Sequence, residues 1–292
     1  MARRYARHMT SLRQLHSTLD EFFPEADAES WDAVGPVSGD PDADVTRVLL
    51  AVDPVAATVD EALEFGAQLL VTHHPLLLRG VTSLREDRYK GALLARLIRG
   101  GCALHAAHTN ADVVETGPTG IIFDRLGVRP DGRQPIEPLD RRPERGIGLV
   151  GELAEPVRLR EFAERVAAVM PPTAGGIRVA GDPEQVVRRV ACCSGAGDSL
   201  LAHPLVTGAD VYLTSDLRHH PASEAREQAL LGGGPALIDV AHFASEWLWL
   251  DGLAHRLGAA HPDLEVRVST RNTDPWDFLV VQDPSAAPGQ GE

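Results

Sequence analysis

Gly66-Ala67-Gln68-Leu69-Leu70-Val71-Thr72 runs into His73-His74-Pro75, and 142 residues further on the chain reads Gly208-Ala209-Asp210-Val211-Tyr212-Leu213-Thr214. Val48 and Val190 stand at the same offset without a gap, so the two stretches read as copies of one unit. The unit is βαβ. Val48 to Val52 is a short apolar run, Val59, Ala62 and Leu63 fall at helical spacing until Gly66 stops the helix, and Leu69 to Thr72 is a second apolar run. Outward from this unit, Leu12, Leu15, Leu19, Phe22 and Phe23 predict an amphipathic helix ended by Pro24. A helix from Asp87 to Arg99 and a strand from Cys102 to Ala107 continue the rhythm. Alternating strands and helices imply an α/β fold with mostly parallel sheets.

Arg129 to Arg145 turns to Pro, Asp and Arg and reads as an exposed connection between two units. Beyond it come a strand near Ile147 to Leu153, a helix near Leu159 to Met170, and strands at Ile177 to Ala180 and Val190 to Cys193. Strand Ala236 to Ala241, helix Phe243 to Leu257 and strand Leu264 to Ser269 follow. The Pro/Gly/Ala-rich tail Pro284 to Glu292 is expected to be disordered.

With 43% apolar and 24% charged residues, the 292-residue chain can bury a large core, which excludes wholesale disorder. The formal charge of -14 and the lack of a Lys/Arg cluster make duplex nucleic acid a poor partner, and none is expected. Three cysteines, two of them the adjacent Cys192 and Cys193, make no disulfide framework. The basic start lacks the apolar stretch of a secretion signal, and no apolar run approaches the roughly 20 residues that span a bilayer. A cytoplasmic protein without membrane insertion is expected.

Three polar patterns sit where strands end: His73-His74, His108-x-x-x-Asp112 and His242-x-x-x-Glu246. In parallel α/β sheets that edge is where sites form. His242 and Glu246 share one helix face at i,i+4, and Pro75 biases His74 toward an extended conformation from which both adjacent rings can turn inward. Each pattern alone is also that of a solvated turn or an exposed pair; their common placement singles them out. Four imidazoles and two carboxylates without a thiolate suit Zn, Fe(II), Mn or Co and exceed one tetrahedral ion, so two divalent metal ions per chain are expected. Such a pair would lower the pKa of a bridging water, which makes hydrolysis the default chemistry. Gly195-Ala196-Gly197 is a weaker candidate for a phosphate contact, His105 a candidate for supporting the ligands, and His219-His220 reads as a polar helix start.

Together, Trp31-Asp32-x-Val34-Gly35, Asp53, Thr72-His73-His74-Pro75, His108-Thr109-Asn110-x-Asp112, Gly195-Ala196-Gly197, Gly208-Ala209-Asp210-x-x-x-Thr214, His242-x-x-x-Glu246 and Asn272-Thr273-Asp274-Pro275 resemble the NGG-one-interacting-factor-three-like family, also called the GTP cyclohydrolase I type 2 family. The resemblance covers nearly the whole chain. It implies two interlinked α/β lobes, the second inserted in the first, here drawn as 1–130 plus 236–283 around 131–235. It also implies a toroidal homohexamer with dimetal sites facing an internal cavity. Carried over residue by residue, the metal ligands fall on His73, His74, Asp112, His242 and Glu246, with His108 as a further one. Ala33, Ser215-Asp216 and Ala241 depart from the family's usual residues, none of them at a ligand position. The implied activity is hydrolysis of a purine nucleotide such as GTP, opened at C8 of the imidazole ring. A dimetal phosphohydrolase and a non-enzymatic metal-handling or regulatory scaffold are the alternatives.

Overall fold

The stripe Leu12, Leu15 and Leu19 is buried on α1 (Leu12–Phe22), whose N-terminus is closed by a capping box between Ser11 and Gln14. The structure, a computed structural model, describes residues 9–281. The basic start and the tail 284–292, expected to be disordered, lie outside the described residues. Around α1 lie the short pair β1 (Thr10–Ser11) and β3 (Asp44–Val45), β2 (Gly35–Ser38), β4 (Arg47–Ala51), α2 (Ala56–Phe65) and β5 (Leu69–Thr72). Next come α3 (Tyr89–Arg99), β6 (Ala103–Ala106), α4 (Thr109–Asp112) and α5 (Pro118–Leu126). The middle of the chain forms β7 (Gln134–Leu139), β8 (Arg142–Arg158), α6 (Leu159–Val169), β9 (Arg178–Ala180), β10 (Val186–Ala196), α7 (Pro204–Thr207), β11 (Val211–Ser215) and α8 (His219–Leu230). The last elements are β12 (Ala236–Val240), α9 (His242–Trp247), α10 (Leu250–Ala260) and β13 (Glu265–Val268).

Two larger sheets result, ordered β13-β4-β5-β6-β2 and β7-β8-β10-β11-β12-β9. In the first, β13, β4, β5 and β6 are parallel and β2 is an antiparallel edge. In the second, β10, β11 and β12 are parallel, while β7, β8 and β9 join antiparallel. The internal repeat extends to hydrogen-bond register. Val48 faces Leu69 across β4 and β5, and Val190 faces Val211 across β10 and β11, with the next two rungs also matched.

Both sheets are covered on both faces, which is why their central strands are apolar without alternation. Leu12, Leu15, Leu253 and Leu257 cover one face of the first sheet, and Val59, Leu93, Leu94 and Leu97 the other. Ile122, Phe123 and Leu126 of α5, with Ala244 and Leu248 at α9, cross over to pack in the core of the second sheet. The lobes are interlinked through these two helices.

Three expectations are corrected. Arg129 to Arg145 is not a bare connection, because β7 lies within it and turns at once into β8. Pro135 and Pro138 are accommodated there because β7 is the outermost strand, where a missing N–H need not break a ladder. The division drawn at 236 misplaces one strand: β12 pairs with β11 and β9, so the chain returns to the first lobe only after it. The helix expected over 243–257 is two helices, although Leu248 and Trp249 between them keep right-handed dihedrals.

Candidate metal centre

At the end of β5 the N–H groups of His73 and His74 donate to Ala51 O and Val52 O, and Thr72 Oγ1 donates to His74 O at 2.8 Å. The chain leaves the pleat there, and the two rings come to lie 5.1 Å apart, both near Glu246 of α9. His108 follows β6, Asp112 closes the one-turn helix α4, and His242 and Glu246 lie one turn apart on α9. All six expected ligands meet where the carboxyl ends of the two sheets approach one another.

Each imidazole is held through Nδ1. His73 donates to Ala107 O at 2.9 Å, His74 to Asp53 Oδ1 at 2.7 Å, His108 to Asp32 Oδ1 at 2.9 Å and His242 to Asp216 Oδ2 at 2.7 Å. These acceptors leave Nε2 as the nitrogen available to a metal, an arrangement common to metal-binding histidines. Glu246 Oε1 lies 2.9 Å from His242 Nε2 and 3.4 Å from His73 Nε2, and Oε2 lies 3.0 Å from His74 Nε2. Asp112 Oδ1 is 3.7 Å from His73 Nε2. Two overlapping groups have metal-holding geometry: His73, His74 and His108, and His74, His242 and Glu246.

The residues fit divalent cations on two grounds. His73 Nε2 is buried without a hydrogen-bond partner, and buried Glu246 Oε2, although 3.0 Å from His74 Nε2, makes no well-aligned hydrogen bond, so both atoms are left short of partners. The donor set, imidazole nitrogen and carboxylate oxygen only, is that of borderline first-row cations. Electrostatics agree. Burial alone would push the His74 imidazole down, yet Glu246 and Asp53 hold it well above its ordinary value. His242 is likewise opposed by burial but raised to about 10 by Glu246 and Asp216. His73, fully buried, is raised by Glu246 and Asp112. Burial would raise the Glu246 carboxyl, and His74, His73 and His242 instead hold it well below the usual range. Burial, reinforced by Glu246, raises Asp112. The buried carboxylates of Glu246 and Asp112 thus favour positive charge in the pocket.

Several residues essential to this geometry were not assigned a role from the sequence. Asp32, whose side chain is covered, would be raised by burial but is held well below its usual value by His108, Thr109 and the Ala33 N–H. Asp53 and Asp216 perform the same orienting task for His74 and His242. Gly195, a candidate for a phosphate contact, instead forms the floor of the centre. Its φ is +66°, and a Cβ there would lie 2.5 Å from Glu246 Oε1 and 3.3 Å from His242 Nε2. Its N–H donates to Ser245 Oγ, which in turn donates to His242 O. The motifs containing Asp32, Asp53 and Gly195 were visible in the chain; their contacts were not.

Other candidates fall outside the centre. His105 faces α1, its ring 5.3 Å from that of His16, and touches no ligand. His219 and His220 open α8 and are exposed. Cys102, Cys192 and Cys193 are buried and unpaired, and burial raises all three thiols, Cys102 to about 12. Beside His74 and His242 a cavity of about 730 Å³ opens between Arg178, Phe243, Trp276 and Phe278. That volume is typical of small-molecule sites. Among the described residues no helix is long and apolar enough to cross a membrane.

Fold and site together define a two-lobed α/β protein with a histidine–carboxylate centre at the junction of its sheets. Residues 10–275 match Duf34/NIF3 (NGG1p interacting factor 3), and the chain belongs to that family. A Streptomyces coelicolor protein called "GTP cyclohydrolase 1 type 2 homolog" is 48% identical over 289 residues, covering 96% of this chain and 98% of that protein. A Mycobacterium tuberculosis protein of the same name is 33% identical, covering 91% and 97%, in an alignment of 373 positions. That alignment is longer than this 292-residue chain, so the mycobacterial relative carries additional sequence. Among solved structures, a Staphylococcus aureus hypothetical protein superposes with a TM-score of 0.81 at 29% identity, covering 92% of this chain and 99% of that one. A Bacillus cereus protein related to NIF3 has a TM-score of 0.80 at 21% identity, covering 93% and 100%, a likeness of fold.

Proposed function

We propose that this protein is a dinuclear-metal-dependent hydrolase acting on a purine nucleotide such as GTP. The observation that carries the reading is the convergence of His73, His74 and His242 Nε2 on Glu246, with buried His73 Nε2 making no hydrogen bond and Glu246 Oε2 none that is well aligned. His73, His74, His108, Asp112, His242 and Glu246 would hold two divalent cations, with Glu246 between the imidazoles that follow β5 and the one that opens α9. Bound there, the cations would supply Lewis-acid activation of water near neutral pH. Asp32, Asp53 and Asp216 keep the imidazoles aimed. The cavity beside them contributes Arg178, itself ion-paired with Asp239, for an anionic group and Trp276, Phe278 and Phe243 for a planar ring. Asp53, Asp216, Asp239 and Asp274 also line it, so an anionic substrate is disfavoured unless cations are present. The relatives' names support the choice of nucleotide.

Assembly into a toroidal hexamer belongs to the same proposal. Beyond the cavity, exposed Val280 and Val281 continue the apolar row of Trp276 and Phe278 for neighbouring copies to cover.

The test is a mass-spectrometric product assay with GTP, using protein reconstituted separately with Zn, Mn, Fe(II) or Co, beside Glu246→Gln, with bound metal counted per chain. A pterin triphosphate that disappears in the variant is the expected result. Phosphate release alone would move the protein to the phosphohydrolases. Two bound metals with GTP intact under every metal would overturn the cyclohydrolase reading and leave other substrates or metal transfer.

A further inference from the structure

Asn272-Thr273-Asp274-Pro275 follows β13 as extended chain with no helix or strand of its own, and the six ligands do not draw on it. Its path is nevertheless pinned at successive points. Trp247 Nε1 donates to Ser269 O at 2.9 Å, Ser269 Oγ to Glu61 Oε2 at 2.6 Å, Asn272 Nδ2 to Pro172 O at 3.1 Å, and Asp274 N to Asn272 Oδ1 at 3.0 Å. This anchoring brings Thr273 Oγ1 onto Asp53 Oδ2, to which it donates. The other oxygen of the same carboxylate, Oδ1, accepts from His74 Nδ1 at 2.7 Å.

The arrangement occurs a second time at the centre. Thr109 Oγ1 donates to Asp32 Oδ2 at 2.6 Å, and Asp32 Oδ1 accepts from His108 Nδ1 at 2.9 Å. In both, a threonine hydroxyl occupies one carboxylate oxygen so that the other stays aimed at an imidazole N–H. Asp216, which orients His242, is held differently: it is the one non-glycine residue of positive φ among the described residues, at +57°. The hydroxyl bond matters because an aspartate turns freely about χ2 unless both oxygens are engaged, and a charge-assisted O–H···O bond is among the stronger restraints available.

We propose that Thr273 is a positioning residue of the metal centre: by fixing Asp53 it sets the tautomer and direction of His74, and thereby the affinity of the metal that His74 binds. The proposal rests on the metal-centre reading above. It gives the extended segment after β13 a task at a site whose ligands come from strand and helix termini far from it in sequence.

The test uses the full-length chain stripped with a chelator and titrated with Co(II), read by calorimetry and by visible d–d absorption, in the wild type, Thr273→Val, Thr273→Ser and Asp53→Asn. Outer partners of metal-binding histidines are typically worth 10- to 100-fold in affinity. Thr273→Val is therefore expected to weaken one Co(II) binding step by about 10-fold and to alter its absorption, and Thr273→Ser to restore both. A merely structural threonine would lower the melting temperature of the metal-free protein and leave the Co(II) spectrum unchanged, which overturns the proposal. So does wild-type affinity in Thr273→Val, or a serine variant no better than valine. Should Thr273→Val not fold, Asp53→Asn decides by the same readout, wild-type affinity there being again fatal. A wild-type chain that takes up no Co(II) overturns the metal-centre reading itself; uptake that Thr273→Val leaves unchanged overturns the positioning role alone.

Discussion

At position 53 of the first copy stands an aspartate and at the corresponding position 195 of the second a glycine, and the centre needs both. Asp53 orients His74; Gly195 leaves room for Glu246 and His242. The next pair of equivalent positions divides labour in the same way, His74 serving as a ligand candidate and Asp216 as the support of His242. Gly195→Ala is expected to damage the centre twice over, by a left-handed backbone costing roughly 1–2 kcal/mol and by displacing Glu246. Weaker metal uptake with a melting temperature lower by a few degrees is the expected outcome, measured by metal counting and calorimetry; unchanged uptake would show that Glu246 has other room to move. His105 makes a separate prediction. Burial first, then neighbouring His16, pushes it down to about 3, below the 6.5 of an unfolded chain. Between those values the unfolded state binds the extra proton, so stability is full above pH 6.5 and falls as the pH drops toward 3, with a slope approaching about 1.4 kcal/mol per pH unit. His105→Leu should flatten that slope in urea unfolding series at pH 7, 6 and 5. A parallel slope in the variant would assign the acid sensitivity to other groups.

Among the elements, strand termini carry the chemistry and edge strands carry the surprises. His73-His74, His108 and His242 all follow parallel strands, where the chain turns out of its ladder and the backbone no longer dictates which way a side chain points. These were readable because each motif abuts an apolar run. β7 was not, since Pro135, Pro138 and its charges are the marks of a loop as well as of an edge. The turn from β7 into β8 also supplies a link between the lobes: Arg142 and Arg145 donate to Asp27 Oδ2 at 2.7 and 2.6 Å, where Asp27 is buried on the first lobe's side. Asp27→Asn is expected to cost about 1–3 kcal/mol, the worth of hydrogen bonds to a charged group, reduced because both arginines are partly exposed. A chemical-denaturation midpoint equal to the wild type would show that these ion pairs only decorate the interface.

For the whole molecule, the crossing of α5 and α9 into the second core makes the lobes interdependent. Residues 131–235 alone lack β12, α5 and α9, leaving Val211, Leu213 and their neighbours without the partners that bury them. That fragment is expected to show no cooperative melt by circular dichroism, whereas a fragment spanning 118–249, which carries all three, is expected to melt cooperatively. A stable, cooperative 131–235 fragment would show that the second sheet closes its own core.

Apolar runs, helical stripes and a repeat at constant offset determined by themselves that this chain is a duplicated α/β protein. The determining factor is local, since burial of a strand or a helix face requires apolar residues at its own period. The six ligand candidates were also legible, because histidines and carboxylates at strand ends are sequence features. Only the tertiary structure decided what aims them. Asp32, Asp53, Asp216 and Thr273 act across separations of up to 220 residues, through single hydrogen bonds between side chains that no periodicity records. The place of β12 and the space left by Gly195 were decided in the same way, by which surfaces meet once the two sheets pack together.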